Sequence, residues 1–473
     1  MSSDNCPTAR LGCGLVRRIL LGLCLTAVTA SPVTAQQAPP PGFPITLQGA
    51  VRHATDHYPS ISASLARVSA QESGVDLART SYLPRVDSSL QINRATRNNV
   101  AGLLLPGGSM PAISGPVSDL TSSSMIWGSA GGLLLSWEAF DFGSRSASVD
   151  LARILVKRAS AGAELTRLEV GVKTADAFLR LAAAQETSRA ARANLERQQV
   201  FANSVSVLVK NQLRPGADES RAQAELAFAR IQVIQAEQAE QIARAALAQW
   251  LGAATADVQI SSGPLLTTLP QPPPPPLQAA AHPLAETQKA NIESSRALQD
   301  VLGRSYVPRI NLQTALSARG TGVSAGGINL GGSHGLAFDS PNWALGVTAT
   351  MPLFDWFSLR ERNRIEAHNE RAEAATYDRI VQELSTQAEQ ARVEMDGARR
   401  VAENTPIQLS AARVLEQQSR ARYDAGLTAI LEVAESQRLL LQAEVADAVA
   451  RLAVWRALLA EAAATGDMSG LVK

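Results

Sequence analysis

One short phrase occurs twice in this chain and divides it into two similar halves. Ser81-Tyr82-Leu83-Pro84-Arg85-Val86 returns as Ser305-Tyr306-Val307-Pro308-Arg309-Ile310. Pro59 and Pro283 are separated by the same 224 positions as Pro84 and Pro308, so the correspondence extends upstream. Each copy of the phrase stands where a helical pattern gives way to a strand pattern. The repeat indicates a tandem duplication, so fold and function are predicted for each half.

The first half, residues 47–265, carries two strand patterns and then a long helical hairpin. Apolar residues at helical spacing predict a helix from Leu47 to Thr80 that is interrupted near Tyr58-Pro59, because proline lacks an N–H donor. Apolar and polar residues then alternate in two predicted strands, at about 85–97 and 125–140. Apolar steps of three and four residues predict a helical hairpin at about 143–251, broken at Arg214-Pro215-Gly216.

The second half, residues 277–466, repeats this plan after a Pro-rich linker at 266–276. We predict a helix from about Leu277 to Arg304, which leads into the first strand of this half. The two strands are expected at about 308–320 and 342–355, and the second hairpin at about 356–464 with its turn at Gly426. The tail at 467–473 is predicted to be disordered.

The N-terminus has the pattern of an export signal. Arg17-Arg18, an apolar run and the small-residue pattern Val33-Thr34-Ala35 predict a signal peptide at 1–35, followed by a Pro-rich lead at 36–46. The apolar run is too short to span a bilayer. The three cysteines, Cys6, Cys13 and Cys24, lie inside this signal, so we expect no disulfide or Cys-ligated metal in the exported chain. We do not expect lipidation of Cys24, because Leu23 is larger than lipid-attachment signals usually tolerate.

Composition indicates long packed helices rather than several compact domains. Aromatic residues make up only 4% of the 473 residues, and small or helix-forming residues dominate long stretches. The formal net charge of +1 provides no basic excess, so we expect no nucleic-acid partner.

The four strands have the length and alternation of lipid-facing barrel strands. Four strands cannot close a barrel, and an open strand edge in lipid would leave backbone groups without hydrogen-bond partners. Other copies of the chain must therefore close the edges. Two copies would supply eight strands and three copies twelve, and counting strands does not decide between them. The alternative for each strand alone is a short strand of a soluble sheet.

With these features, the chain resembles the TolC-type outer-membrane efflux proteins over about 47–466. The resemblance rests on the duplicated plan, the Leu83-Pro84 and Val307-Pro308 steps into strands, and the Phe140-Asp141 and Phe354-Asp355 exits into helices. The Tyr423-Asp424-Ala425-Gly426-Leu427 turn followed by Ser436-Gln437 completes it. It implies a mixed fold in which a trimeric twelve-stranded membrane β-barrel, with four strands per protomer, continues as a periplasmic α-helical tunnel.

The resemblance also implies a function and partners. It implies a homotrimer in outer-membrane lipid that serves as the exit duct of a tripartite efflux pump or a type I secretion system. The helix tips would close its far end and meet a periplasmic adaptor (membrane fusion protein), and an inner-membrane transporter would supply the energy. The tip residues expected to face the adaptor are Arg214, Pro215, Gly216, Gly426, Leu427 and Thr428.

The same resemblance singles out Glu432 and Glu435 as lining the periplasmic aperture. Residues at i and i+3 lie on one helix face, and threefold symmetry would gather six carboxylates into a ring that favours cations. Asp218 and Glu219 are weaker counterparts, through the shared Glu-Ser of Glu219-Ser220 and Glu435-Ser436. Thr428 stands where a basic residue is familiar in the closed state, and a solvated helix face is the alternative for the acidic pair.

No residues form a recognisable catalytic group or cofactor site, so we predict a channel and not an enzyme. His53 and His57 have the i, i+4 spacing of a metal pair, but no third ligand is evident, and we predict no metal site. The alternative function is a periplasmic coiled-coil adaptor or structural rod of an envelope complex, which would share the helical hairpins.

Overall fold

The structure is a computed structural model that describes residues 44–99, 121–270 and 279–472, apart from residues 325 and 327. Its longest elements are two helices of 67 and 69 residues, and each is followed by a helix of 36 residues. In chain order the elements are α1 Leu47–His57, α2 Pro59–Thr80, β1 Arg85–Thr96, β2 Met125–Phe140, α3 Ser144–Lys210, α4 Gly216–Leu251, α5 Gly263–Thr267, α6 Pro283–Gly303, β3 Arg309–Thr321, β4 Ser340–Thr350, α7 Trp356–Asp424, α8 Ile430–Thr465 and α9 Ser469–Val472.

The second half repeats the first at two fixed displacements. The first strand of each half begins 224 positions apart, at Arg85 and at Arg309. From the second strand onward the displacement is 214 positions, since α3 ends at Lys210 and α7 ends at Asp424. The change arises in the loop between the two strands of each half, so the duplication is preserved on both sides of that loop.

The four strands form one antiparallel sheet in chain order, β1-β2-β3-β4. The register is the same in both halves. Leu90 lies opposite Gly131 between β1 and β2, and the corresponding Thr314 lies opposite Leu345 between β3 and β4. β2 and β3 join the halves, and β1 and β4 form the two edges of the sheet that the structure describes.

The apolar side chains of the edge strands are exposed. In β1, Leu90 is 71% exposed, and the polar residues that alternate with the apolar ones are half-buried. All residues of β4 are exposed, among them Trp343, Leu345 and Val347. A wall of a barrel in lipid has this pattern, with its apolar side chains facing outward.

The two hairpins pack against each other mainly through α3 and α8, and α4 also contacts α8. Their largest core cluster contains Phe178 of α3, Leu247 of α4 and Leu452 of α8, all fully buried, together with many alanines. At 1.5 Å per residue, each long helix extends roughly 100 Å. The helices α3 and α7 therefore extend from the sheet to two helix tips roughly 100 Å away.

Asp141 fastens the end of β2 to the start of α3. Its carboxylate accepts hydrogen bonds from the amides of Gly143 at 3.3 Å and Arg145 at 2.5 Å. Arg145 in turn stacks over Tyr82, 4.7 Å from the ring centre, and donates to the carbonyl oxygen of Ser81 at 3.2 Å. The first copy of the duplicated phrase therefore contacts the start of α3, the helix that follows the second strand of the same half.

The predicted helix from Leu277 to Arg304 is wrong at its start, because α6 begins at Pro283. His282 caps this helix, with Nδ1 accepting a hydrogen bond from the amide of Leu284 at 3.0 Å. Proline is favoured in the first helical turn, where its missing N–H has no intrahelical partner to lose. Residues 271–278, which include most of the predicted linker, lie outside the described residues.

The prediction for the second strand of the second half is wrong at its end. The alternation predicts a strand that reaches residue 355, but β4 ends at Thr350. Pro352 follows two positions later and cannot donate a ladder hydrogen bond, so pairing stops before it. β1 and β3 end within one residue of their predicted ends.

The tail is ordered from Asp467 to Val472, contrary to the prediction. The carboxylate of Asp467 accepts a hydrogen bond from the amide of Ser469 at 2.8 Å and starts α9. Leu471 is 2% exposed and belongs to the largest core cluster. Burial of one leucine thus fixes a segment too short to show a periodic pattern.

The predicted signal peptide and most of the predicted N-terminal lead lie outside the described residues. Among the helices that the structure describes, none combines the length and the apolar character needed to cross a membrane.

Candidate functional site at the helix tips

The two hairpins turn at their tips by the same backbone motif. The amide of Leu213 donates to the carbonyl oxygen of Leu208 at 2.9 Å, and the amide of Leu427 donates to that of Arg422 at 2.8 Å. Both bonds span five residues, as in a Schellman turn, which needs a residue with positive φ before the donor. Gly426 has a φ of 80° at that place, and Gln212 has a φ of 56° at the corresponding place.

Tyr423, at the end of α7, joins the two tips. Its side chain is fully buried, and its hydroxyl donates to Oδ2 of Asp218 in α4 at 3.0 Å. Its ring meets that of Phe201 in α3 edge-on, with the centres 5.4 Å apart. The buried residues of this tip core are Phe201, Ala202, Val205, Ala222, Leu226, Tyr423, Ile430 and Val433.

Arg214 closes the same contact from the turn of the first hairpin. Its guanidinium carbon lies 4.3 Å from the centre of the Tyr423 ring, and Nη2 donates to the carbonyl oxygen of Tyr423. The displacement of 214 positions makes Arg214 the counterpart of Thr428, the position at which the family resemblance implies a basic residue. The basic residue of the tips thus stands in the first hairpin, a position that could have been found by aligning the two turns.

The environment keeps Tyr423 uncharged. Burial, and then the hydrogen bond to Asp218, raise the pKa of Tyr423 to about 12. A phenol in this state donates a hydrogen bond, and its ring presents an electron-rich face to the Arg214 guanidinium. From the sequence, Tyr423 is recognisable only as part of a turn motif, because its partners Phe201, Arg214 and Asp218 lie far away along the chain.

Glu432 and Glu435 lie on an exposed face of α8, in the first two turns after the tip. Glu435 forms an ion pair with Arg438 at 2.6 Å, and the hydrogen bond from Arg438 is the main cause that lowers the pKa of Glu435. No ion pair engages Glu432 within the part of the chain that the structure describes. The uncompensated charge of this face is therefore that of Glu432.

Asp218 and Glu219 differ from Glu432 and Glu435 in that they are half-buried and hydrogen-bonded within the protomer. Asp218 accepts from Tyr423, and Glu219 accepts from the hydroxyl of Ser206 at 2.7 Å. The assumed correspondence of Glu219-Ser220 with Glu435-Ser436 is also wrong. The helix bounds make Asp218 the counterpart of Glu432 and Arg221 that of Glu435, because α4 and α8 are displaced by 214 positions.

The remaining tip residues shape the turns. Pro215 precedes α4 in an extended conformation with ψ of 146°, and Gly216 is the first residue of that helix. Leu213 and Leu427 occupy corresponding places in the two turns and are 68% and 71% exposed. Each tip therefore presents an apolar side chain outward.

His53 and His57 stack with their ring centres 4.6 Å apart in α1. A backbone carbonyl oxygen lies near one ring nitrogen of each, that of Leu251 at 3.2 Å from His53 and that of His53 at 3.1 Å from His57. Burial is the main cause that lowers the pKa of His53. Over the described ranges, no three metal-ligating side chains are grouped to hold an ion.

Comparison with known proteins gives the family. The sequence matches the outer membrane efflux protein family over residues 50–253 and 277–467. Protein CyaE of Bordetella pertussis is 26% identical over 431 residues, which cover 86% of this chain and 82% of that protein.

Solved structures share the fold. The CmeC outer membrane channel of Campylobacter jejuni superposes with a TM-score of 0.70 at 17% identity, over 89% of this chain and 85% of that one. The open state of the MtrE outer membrane channel of Neisseria gonorrhoeae gives 0.70 at 18% identity, over 89% of both chains. The family match sets aside the periplasmic adaptor, the structural rod and the enzyme. The chain belongs to the outer membrane efflux protein family, whose members are channels of the outer membrane.

Proposed function

We propose that three copies of this chain form an exit duct, with a twelve-stranded barrel in the outer membrane and a helical tunnel in the periplasm. The observation that carries this proposal is the four-stranded sheet, whose two edges are open among the described residues and whose apolar side chains are exposed. Backbone groups at open edges find partners in lipid only if neighbouring strands close the barrel. The duct conducts passively, and an inner-membrane transporter supplies the energy.

The helix tips are the proposed contact with a periplasmic adaptor. The exposed Leu213 and Leu427 support this, since exposed apolar side chains at the end of a rod favour a partner surface. The neighbouring Arg214, Pro215, Gly216, Gly426 and Thr428 would hold these two side chains in place. The contact of Arg214 with Tyr423 keeps the two hairpins of one protomer together and favours a closed end of the tunnel.

The proposed aperture is a ring of carboxylates near those tips. Glu432 supplies the uncompensated charge, and Glu435 contributes a pair whose charge Arg438 balances. Asp218 and Glu219 act in the packing of the tip rather than in the ring. Such a ring favours cations over anions in the pore.

The duct is tested by inserting the purified protein into planar lipid bilayers and recording single-channel currents. The proposal predicts discrete conductance steps with a preference for cations. A protein that enters the bilayer as trimers but carries no current would contradict the duct.

The cargo distinguishes an efflux pump from a type I secretion system. Deletion of the gene in its own host should raise sensitivity to toxic small molecules if the duct serves a pump. Loss of a polypeptide from the culture medium, with unchanged sensitivity, would assign it to secretion.

A further inference from the structure

The edges of the sheet carry information about how copies of the chain pair. β1 presents one edge and β4 the other, and each has a single neighbouring strand among the residues that the structure describes. In a ring of identical copies, β4 of one copy lies beside β1 of the next. We call the line of pairing between two adjacent strands a seam. A single protomer does not contain the seam between β4 and β1, but the duplication of the chain makes it the counterpart of a seam within the protomer.

The related seam is the one between β2 and β3. There, the second strand of a first half pairs with the first strand of a second half. Between copies, the second strand of a second half pairs with the first strand of a first half. The two seams should therefore have the same residue pairing if the two halves are structurally equivalent. The strands of the two halves are equivalent, because β1 pairs with β2 in the same register as β3 pairs with β4.

We infer that β4 pairs antiparallel with β1 of the neighbouring copy in the register that places Val347 opposite Ile92. The inference rests on the proposed ring and adds its residue pairing. In the observed seam, Leu133 lies opposite Leu316. Moving Leu133 forward by 214 positions gives Val347, and moving Leu316 back by 224 positions gives Ile92.

The same displacement fixes the rest of the seam. Leu135 lies opposite Thr314 in the observed seam, and their counterparts are Ala349 and Leu90. The pairing covers eight residues of each strand, from Trp343 to Thr350 on β4 and from Ser89 to Thr96 on β1.

The side chains fit this register. Val347 and Ile92 are 70% and 60% exposed on the apolar face, so pairing them joins the apolar faces of two copies. A slip by one residue would set Val347 opposite a polar residue and invert the faces. The realistic competitors are therefore slips by two residues, which keep the faces aligned.

The position of Pro352 agrees as well. It is the counterpart of Glu138, where the register between β2 and β3 shifts. Proline is tolerated at strand ends and bulges because it lacks the N–H that a regular ladder uses. The seam would become irregular at the same place in both halves.

Paired cysteines test the register in native outer membranes. Residues directly opposite each other have Cβ atoms about 4.5–5.5 Å apart, and diagonal neighbours are about 7–8 Å apart. A disulfide needs Cβ atoms about 3.5–4.5 Å apart, so it discriminates between these cases. The variant Val347→Cys with Ile92→Cys is compared with Val347→Cys paired with Leu90→Cys or with Arg94→Cys. The natural cysteines do not interfere, since they lie within the predicted signal.

The expected result is oxidation of the 347/92 pair into covalently linked dimers and trimers, with the two shifted pairs linking at least about tenfold more slowly. Linkage within one chain is excluded in an open sheet, because β1 and β4 are three strand spacings apart, about 14 Å. Ala349→Cys with Leu90→Cys is a second pair in the proposed register, for use if the first variant does not assemble.

The outcomes separate this inference from the proposed duct. Faster linkage of a shifted pair would overturn the register and leave the ring intact. No linkage in either matched pair, in protein that still has the native mass of a trimer, would overturn the β4 to β1 seam. A monomeric native mass for the unaltered protein would overturn both.

Discussion

Arg214 of the first hairpin lies over the ring of Tyr423 at the end of the second long helix, with its guanidinium carbon 4.3 Å from the ring centre. The two residues are 209 positions apart in sequence. Arg214 also donates to the Tyr423 carbonyl oxygen, while the Tyr423 hydroxyl donates to Asp218. One buried phenol thus holds both helix tips of a protomer together.

Removal of Arg214 should loosen the tips. Arg214→Ala loses a stacking contact worth about 1–2 kcal/mol in a desolvated site, so tip amides should exchange hydrogen roughly tenfold faster. We also expect a higher single-channel conductance. Arg221→Ala, which removes an exposed arginine of α4, is the matched control. Equal exchange rates in both variants would show that Arg214 does not hold the tips.

The ionisation of Tyr423 should occur at unusually high pH. Its pKa is raised to about 12 from 10.0, so between these values the unfolded phenol ionises while the folded one stays neutral. Stability of the tips is therefore fully present below pH 10 and falls as the pH rises toward 12. The ultraviolet difference between wild type and Tyr423→Phe measures this titration. A midpoint near 10 would show that the phenol is solvated.

The Tyr423→Phe variant should keep the ring contacts and lose the hydrogen bond. We expect about 1 kcal/mol of local destabilisation, because Asp218 loses its donor while the stacking with Arg214 remains. Hydrogen exchange at pH 7 checks this change separately from the titration.

The charge that selects ions should be that of Glu432. Glu432→Ala is expected to lower the cation preference, measured as the reversal potential in a salt gradient. Glu435→Ala with Arg438→Ala removes a balanced pair and should change the reversal potential little. Glu432→Ala with Glu435→Ala leaves Arg438 unbalanced and should shift the preference toward anions. An effect of the balanced pair as large as that of Glu432 alone would contradict this assignment.

The turns of the two tips should respond in opposite directions to substitution. Gln212→Gly relieves a left-handed backbone, so we expect about 0.5–1 kcal/mol of stabilisation at the first tip. Gly426→Ala introduces the same strain at the second tip, with about 1 kcal/mol of destabilisation, or roughly fivefold faster exchange of the Leu427 amide.

Gly397→Ala is the control for the two turn variants. Gly397 lies within α7, and a Cβ there would meet nothing within 4 Å. Alanine should therefore stabilise that helix slightly. Slower exchange at Leu427 in Gly426→Ala would contradict the role of the positive φ.

The strand starts and the long helices were predictable because local sequence determines them. Pro84 and Pro308 end the helical pattern, and the alternation behind each proline shows on which face the apolar residues lie. Three features were not predicted correctly: the start of α6, which His282 caps; the end of β4, before Pro352; and the order of the C-terminal tail, where Leu471 is buried. In each case one side chain or one missing N–H outweighs the periodic pattern.

The acidic residues could be placed on helices but not distinguished from one another. Spacing put Glu432 and Glu435 on one face, and the i, i+3 spacing of Glu435 and Arg438 within α8 was itself a local signal for their ion pair. The contact of Asp218 with Tyr423 depends on how the two hairpins pack, and local sequence does not encode that packing. The contact of Arg214 with Tyr423 could not be predicted from local sequence either, because it also depends on how the two hairpins pack.

In the proposed duct, one chain supplies only part of the barrel wall, so the number of copies in the complex decides whether the barrel can close. Native mass spectrometry of the protein, extracted from outer membranes in mild detergent, counts the copies directly. We expect a complex of three chains that persists on dilution. A stable monomer that is soluble without detergent would rule out the trimeric barrel.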